Sequence, residues 1–228
     1  KTIKMNSKDS VPSFQDVFGF LVCEISRNRK DTVCITAAMK EGTGLVKYSK
    51  EFPDRFFDVG IAEAHGVTFA AGLTTQRIRS IVAIYSTFLQ RAYDQIVHDV
   101  AIQHLPVIFC MDRAGIAGED GPTHHGALDI AYLRCIQDMI VTAPKDGDEF
   151  RHLLYTALEQ TSKPFSIRYP KSSSINFNKN GQAELLPIGS WETLRTGTDI
   201  AILSVGSMVY PTLKAADKLE NDGIYCEM

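Results

Sequence analysis

Residues 55–73 read RFFDVGIAEAHGVTFAAGL, and the rest of the chain is organised around them. Arg55, Phe56, Phe57, Asp58 and Val59 suit a short strand, Gly60 permits a sharp turn, and Ile61 onward can wind into a helix rich in alanine and glycine. Glu63 then falls in the opening turn of that helix. Exposed N–H groups and the macrodipole favour a negative charge there by about 0.3–1 kcal/mol, which is sufficient reason for an acid at this position. A functional reading stands beside it. Ala62, Ala64, Gly66, Ala70, Ala71 and Gly72 are too small to fill the space around Glu63, so another backbone or a flat ligand can approach closely. A carboxyl desolvated at a strand's end can exchange a proton with such a ligand.

On the N-terminal side, Ser13 can cap a helix running to residue 28, with Phe14, Val17, Phe18, Leu21, Val22 and Ile25 on one face. Residues 32–39 (TVCITAAM) suit a strand covered on both faces, and 41–52 a glycine-bearing loop entering a short helix that Pro53 stops. On the C-terminal side, strands are expected at 80–85 (SIVAIY), 105–111 (LPVIFCM), 139–143 and 164–169, with helices at 86–103, 127–135 and 147–160. Ser86 or Thr87 would cap the helix at 86–103. Its residues Phe88, Arg91 and Gln95 share one face, while Leu89, Tyr93, Ile96 and Val100 form another that can pack on the sheet. Strands alternating with helices imply an α/β fold: a doubly wound, mainly parallel six-stranded sheet with helices on both faces. Residues 171–198 turn to Ser, Asn, Gly and Lys and read as an interdomain linker. A strand at 199–205, a helix at 208–221 and a strand at 223–228 then open a second α/β domain. The expected division is 1–170, 171–198 and 199–228, and the chain reads as a fragment.

With 44% hydrophobic and 22% charged residues, the chain can bury a sizeable core. Its net charge of -3 and lack of any basic run argue against a nucleic-acid footprint, which leaves small ligands as the better expectation. The five cysteines are too widely spaced for a zinc clip or a redox pair, and a reducing compartment is the expected home. No stretch approaches the roughly 20 apolar residues of a membrane span, and KTIKMNSKDS lacks a signal peptide's apolar core.

Several polar groups fall at strand ends, the ligand edge of such a sheet. The glycine-rich loop 112–126 has no apolar periodicity and holds GEDGPTHHG, with Glu119, Asp120, His124 and His125. The histidine spacing is wrong for a helical metal motif, so no metal site is assigned, and imidazole bonding to a substrate carbonyl or hydroxyl is preferred. Tyr85 ends one strand, and Phe88 either fills the core or, if it lies beside the end of the strand at 55–59, can stack on a flat heteroaromatic. Arg113 and Arg168 could clamp a phosphate or carboxylate from the sheet's edge, or form salt bridges instead. GxGxxG, GxxxxGK[ST] and GxSxG are all missing, which removes the nicotinamide, P-loop and α/β-hydrolase readings. So is the GDG pattern that holds a diphosphate through a divalent ion.

The blocks RFFDVGIAEAHGVTFAAGL, IVAIYSTFLQRAYDQIVHDVA, LPVIFCMDRAGIAGEDGPTHHGALDIAYLRCI and PFSIRYPK, in this order and spacing, resemble the pyrimidine-binding domain of the 1-deoxy-D-xylulose-5-phosphate synthase family, thiamine-diphosphate-dependent relatives of transketolase. The resemblance runs from about residue 14 to 171, and the remainder resembles the linker and the opening of that family's C-terminal domain. STFLQRAYDQ and the flanks of GEDGPTH favour the synthase over transketolase.

The resemblance implies a transferase that condenses pyruvate, with loss of carbon dioxide, and glyceraldehyde 3-phosphate at the head of non-mevalonate isoprenoid synthesis. It implies that Glu63 shares a proton with the aminopyrimidine of thiamine diphosphate, that Phe88 stacks on that ring beside Ile61, and that His124, with Asp120 nearby, contacts the reacting carbonyl or hydroxyls. Tyr85, Arg91, Arg113 and Arg168 become candidates for the aldehyde phosphate and the site's lining. Magnesium ligands and half of the cofactor pocket would lie in a diphosphate-binding domain that precedes this segment, so the fragment alone is expected to lack synthase activity. A homodimer is implied, in the bacterial cytoplasm or the plastid stroma. Ala64, His125 and the Lys171–Ser172 pair depart from the family's usual Gln, Gln and Arg-Gly. Rival readings are a transketolase-type ketol transferase, the β chain of a 2-oxo-acid dehydrogenase, and a non-catalytic partner subunit.

Overall fold

A computed structural model gives the structure and describes residues 11–228; the stretch KTIKMNSKDS lies outside the described residues. The first helix, α1 (Phe14–Asn28), starts where Ser13 places it. The Ser13 side chain accepts from the Asp16 N–H while the Asp16 carboxylate accepts from the Ser13 N–H, a reciprocal box that satisfies two otherwise free donors. Phe14, Val17, Phe18, Leu21 and Val22 of α1 are buried. After it come β1 (Thr32–Thr36), the short α2 (Val46–Glu51), β2 (Phe56–Asp58) and α3 (Glu63–Thr75). Then follow β3 (Arg79–Tyr85), α4 (Ser86–Leu89), α5 (Tyr93–Gln95), β4 (Ile108–Asp112), α6 (Asp129–Leu133), β5 (Ile140–Thr142), α7 (Gly147–Leu158) and β6 (Phe165–Arg168).

These six strands form one sheet in the order β2-β1-β3-β4-β6-β5, and every pair is parallel. The central strands β1 and β4 are buried at every residue, as a sheet covered on both faces requires. One face packs on α1 and α7 through Phe14, Phe18, Phe150 and Tyr169, the other on α3 and the segment after β3 through Val67, Ala70, Ile96 and Val100. The doubly wound sheet expected from the alternation of elements is the sheet observed.

Two expectations need correction. The helix at 86–103 is not continuous: α4 passes through a 3-10 turn (Gln90–Ala92) into α5, and a π-helical stretch (Ile96–Ala101) ends it. Neither Ser86 nor Thr87 caps it, because their hydroxyls donate to Asp129 and to the Thr123 carbonyl. Leu89, Ile96 and Val100 reach the core, whereas Tyr93 is turned outward to meet Tyr132 edge-on. Of the small residues of α3, Gly66 packs within the chain, so close to Val59 and Ile35 that a β-carbon would stand 3.3 Å from the valine, whereas Gly72 is exposed with open space beside it.

Beyond β6 the chain runs without regular structure to β7 (Ile200–Ala201), followed by α8 (Val209–Asn221) and β8 (Cys226–Glu227). β7 and β8 pair in parallel as a separate two-stranded sheet. The strand expected at 199–205 is cut to two residues. Leu203 and Val205 have no covering layer and stay exposed, so only the stretch facing β8 is paired.

Candidate active site

In a doubly wound sheet, ligands gather at the carboxyl ends of the strands, beside the point where strand order reverses. Here the chain moves from β1 outward to β2 and then back across β1 to β3, so the crevice opens near the ends of β1, β3 and β4. Tyr85 ends β3, Asp112 ends β4 directly opposite it in register, and Arg168 ends β6.

Glu63 occupies the first position of α3, which has no side-chain cap, and it is 4% exposed. Among the described residues its carboxylate bonds only to Arg91, whose Nη1 lies 3.5 Å from Oε1. Arg91 is itself 58% exposed and its guanidinium sits 5.6 Å from the centre of the Phe88 ring, so one exposed cation joins the buried acid to the aromatic. Phe88 lies near parallel to Tyr85 at 6.0 Å and edge-on to His124 at 5.3 Å. His124 has Nδ1 3.0 Å from the Thr123 hydroxyl. Ile61, on the turn before α3, is 80% exposed and free to meet a ligand.

A second cluster forms the floor. Arg113 is 8% exposed and adopts a left-handed backbone with φ of 59°, so its side chain folds back over the sheet's edge. Its Nε donates to Asp120 at 2.9 Å and its Nη1 to the Gly42 carbonyl at 3.0 Å, while its guanidinium covers the face of Tyr85 at 3.9 Å. Asp120 also accepts from Lys171 at 2.7 Å, and Lys171 followed by Arg113 holds its carboxyl below the usual range. Burial pushes the Asp112 carboxyl up to about 7, against the neighbouring Arg113. Arg168 is not beside Arg113 as a second free guanidinium: its Nε donates to buried Asp129 at 2.8 Å, and Ser86 donates to the same oxygen at 3.0 Å. Both arginines therefore meet carboxylates, the salt-bridge alternative left open by the sequence.

The loop between them is pinned at its neck. Gly115 and Gly126 exchange backbone bonds at 2.9 and 2.7 Å. A β-carbon on Gly126 would collide with the Ser86 side chain and stand 2.7 Å from the Arg113 carbonyl, which explains the glycine. His125 turns inward, its Nδ1 accepting the Ala117 N–H at 3.1 Å, and so supports the loop rather than the crevice. Sequence reasoning passed over Asp112, Asp129 and Gly42, and noted Lys171 only as a departure. An aspartate closing an otherwise apolar strand was the available signal for Asp112.

Two family models match the chain. The description "Transketolase, pyrimidine binding domain" matches residues 11–175, and "Transketolase, C-terminal domain" matches 189–228. The chain belongs to the transketolase pyrimidine-binding domain family. Among curated members, the chain is 56% identical to the 1-deoxy-D-xylulose-5-phosphate synthase of Thermomicrobium roseum over 213 residues, 93% of this chain and 34% of that protein. It is 53% identical to the synthase of Aquifex aeolicus over 217 residues, 95% of this chain and 34% of that one. The chain thus spans about a third of the length of these relatives. A solved split-gene transketolase, described as an inactive β4 tetramer, superposes with a TM-score of 0.82 at 26% identity, covering 96% of this chain and 70% of that one. The transketolase of Pichia stipitis shares the fold at a TM-score of 0.79 and 19% identity, over 98% of this chain and 35% of that one. Among the described residues, no helix of this family member is long and apolar enough to cross a membrane, and no group of three or more His, Cys, Asp or Glu is placed to hold a metal ion.

Proposed function

We propose that the chain is the aminopyrimidine-binding part of a thiamine-diphosphate-dependent 1-deoxy-D-xylulose-5-phosphate synthase, which joins pyruvate, with loss of carbon dioxide, to glyceraldehyde 3-phosphate. The observation that carries this reading is Glu63: a buried carboxyl whose one side-chain bond among the described residues is long, to an exposed arginine lying over an adjacent phenyl ring. The contact is long and its Arg91 end is exposed, so Arg91 can give way to a partner that satisfies the buried carboxyl in its place. A flat ring bearing a nitrogen fits this arrangement, with its edge toward Glu63, its face toward Phe88 and its rim toward Ile61.

When bound, thiamine diphosphate supplies the nucleophilic carbon. Glu63 holds and returns the proton at the ring nitrogen. Phe88 and Ile61 exclude water from that contact, which strengthens it by lowering the local dielectric. His124, set edge-on to Phe88, offers its free ring nitrogen to the reacting carbonyl or hydroxyl. Arg113 and Lys171, oriented by Asp120, and Tyr85 beneath Arg113 form the cationic floor for the aldehyde's phosphate, with Arg91 at the mouth. Arg168 acts through Asp129 and Ser86 to fix the start of α4, and hence Phe88.

We assign magnesium and the diphosphate to the part of such an enzyme that this chain does not include, and expect the chain alone to be inactive and the enzyme to be a homodimer. The cytoplasm, or the plastid stroma in a plant or alga, suits the same reading. We divide the chain at 170 and 198; the first family match ends at 175 and the second begins at 189. Assay of the full-length protein with pyruvate and glyceraldehyde 3-phosphate, against ketose donors, is the test. Pyruvate-dependent product is expected; turnover of ketose donors alone would assign a transketolase-type transfer instead.

A further inference from the structure

Asp112 is 1% exposed at the end of the fully buried strand β4. Its Oδ1 accepts the Arg113 N–H at 2.6 Å and lies 3.4 Å from Arg113 Nη1. Its Oδ2 is buried with no partner among the described residues, and so is the hydroxyl of Tyr169, which follows the neighbouring strand β6. A buried acceptor left unpaired costs about 1–3 kcal/mol, and more when charged. The groups facing Asp112 are Arg113 and Lys171, the phenols of Tyr85 and Tyr169, Cys110 two residues back on its own strand, and Asp120 across the cations. Burial raises both tyrosines and Cys110, so these stay neutral near pH 7, whereas Asp120 stays ionised. Glu119 reaches Lys171 from the solvent side, where water screens it. The charges of Arg113, Lys171, Asp120 and Asp112 cancel when Asp112 is ionised, and leave one positive charge when it is protonated.

We propose that Asp112 is the proton-carrying group of this floor: an anion that docks on Arg113 and Lys171 binds together with a proton taken from solvent onto the Asp112 carboxyl. An O–H bond forms at Oδ2, the buffer loses the proton, and nothing is oxidised or reduced. The inference rests on the proposed function only in taking this floor as the site of a substrate anion. By reciprocity, the anion raises the affinity of Asp112 for its proton as much as the proton raises the affinity for the anion. Asp112 is a positioning residue, because it acts through Arg113.

Sulfate is the probe, since a phosphate monoester itself titrates near pH 6. In the full-length protein, calorimetric titration at pH 7 in two buffers of different ionisation enthalpy is expected to reveal proton uptake. The Kd for sulfate is expected to weaken about tenfold from pH 6 to pH 8, as the competent protonated fraction falls. In Asp112→Asn the uptake disappears and the Kd varies less than about twofold over the same range. Where that variant does not fold, the carboxyl carbon-13 resonance of Asp112 in the wild-type protein gives the answer, and is expected to move toward the protonated position on adding sulfate. Sulfate binding without proton uptake, no sulfate binding, uptake that persists in a folded Asp112→Asn, or an unmoved Asp112 resonance would each overturn the inference. These readouts need no turnover. A protein that takes up the proton yet makes no pyruvate-derived product breaks the proposed function alone.

Discussion

Glu63 and Asp112 are both carboxyls buried at the carboxyl edge of one sheet, and they are held in opposite ways. Among the described residues Glu63 keeps a single long bond, to an exposed cation, whereas Asp112 is fixed at 2.6 Å by the backbone of the next residue and sits inside a net of ion pairs. Spare hydrogen-bonding capacity in a buried acid is costly unless something arrives to use it. The comparison teaches that the crevice has an exchangeable side around Glu63 and Phe88, and a fixed side around Arg113.

The largest effect should come from the exchangeable side. Glu63→Gln preserves shape and removes the proton, and is expected to lower turnover of the full-length enzyme by about 10²- to 10⁴-fold while its melting temperature changes little. Near-wild-type turnover would erase the distinction between the two sides. On the fixed side, Asp129→Ala strands Arg168 without its carboxylate and should lower stability by about 3–5 kcal/mol, measured by denaturant unfolding.

Asp112 sharpens the contrast through pH. Its carboxyl, normally at 3.8 and raised to about 7 in the folded state, binds a proton more tightly folded than unfolded. The stability it contributes is therefore full below about pH 4 and lost as pH rises to about 7. Asp112→Asn should gain on the wild type by about 2–4 kcal/mol across that window, read from unfolding midpoints at a series of pH values. A parallel pH dependence in both proteins would show that burial does not govern this carboxyl. The smallest effect is expected at the neck of the loop, where Gly126→Ala meets Ser86 and the Arg113 carbonyl and should cost about 1–3 kcal/mol by thermal unfolding.

Much of the fold was legible because period and punctuation agree. Ser13 and Asp16 mark the start of α1, Gly60 the turn into α3, and the apolar runs at 32–36 and 108–111 are what a twice-covered strand looks like. The helix after β3 was legible only in outline. Ser86 looked like a cap, but a buried aspartate 43 residues away claims its hydroxyl. For the site, the resemblance carried Glu63, Phe88 and His124 to the crevice; helical spacing put Arg91 on the face of Phe88, and nothing in the residues themselves brought it to Glu63. The ion pairs of Arg113 and Arg168 were equally hidden, since a guanidinium at a strand end reads alike whether it waits for a ligand or already holds a carboxylate.

The sequence alone determined the family, the parallel α/β alternation and the placing of an acid in the first turn of α3, because these depend on local period, turn chemistry and long matching blocks. Tertiary structure alone decided the strand order, the partners of each charged group and which buried oxygens were left without one. Those depend on distances between residues far apart in the chain, and a local pattern carries no record of them.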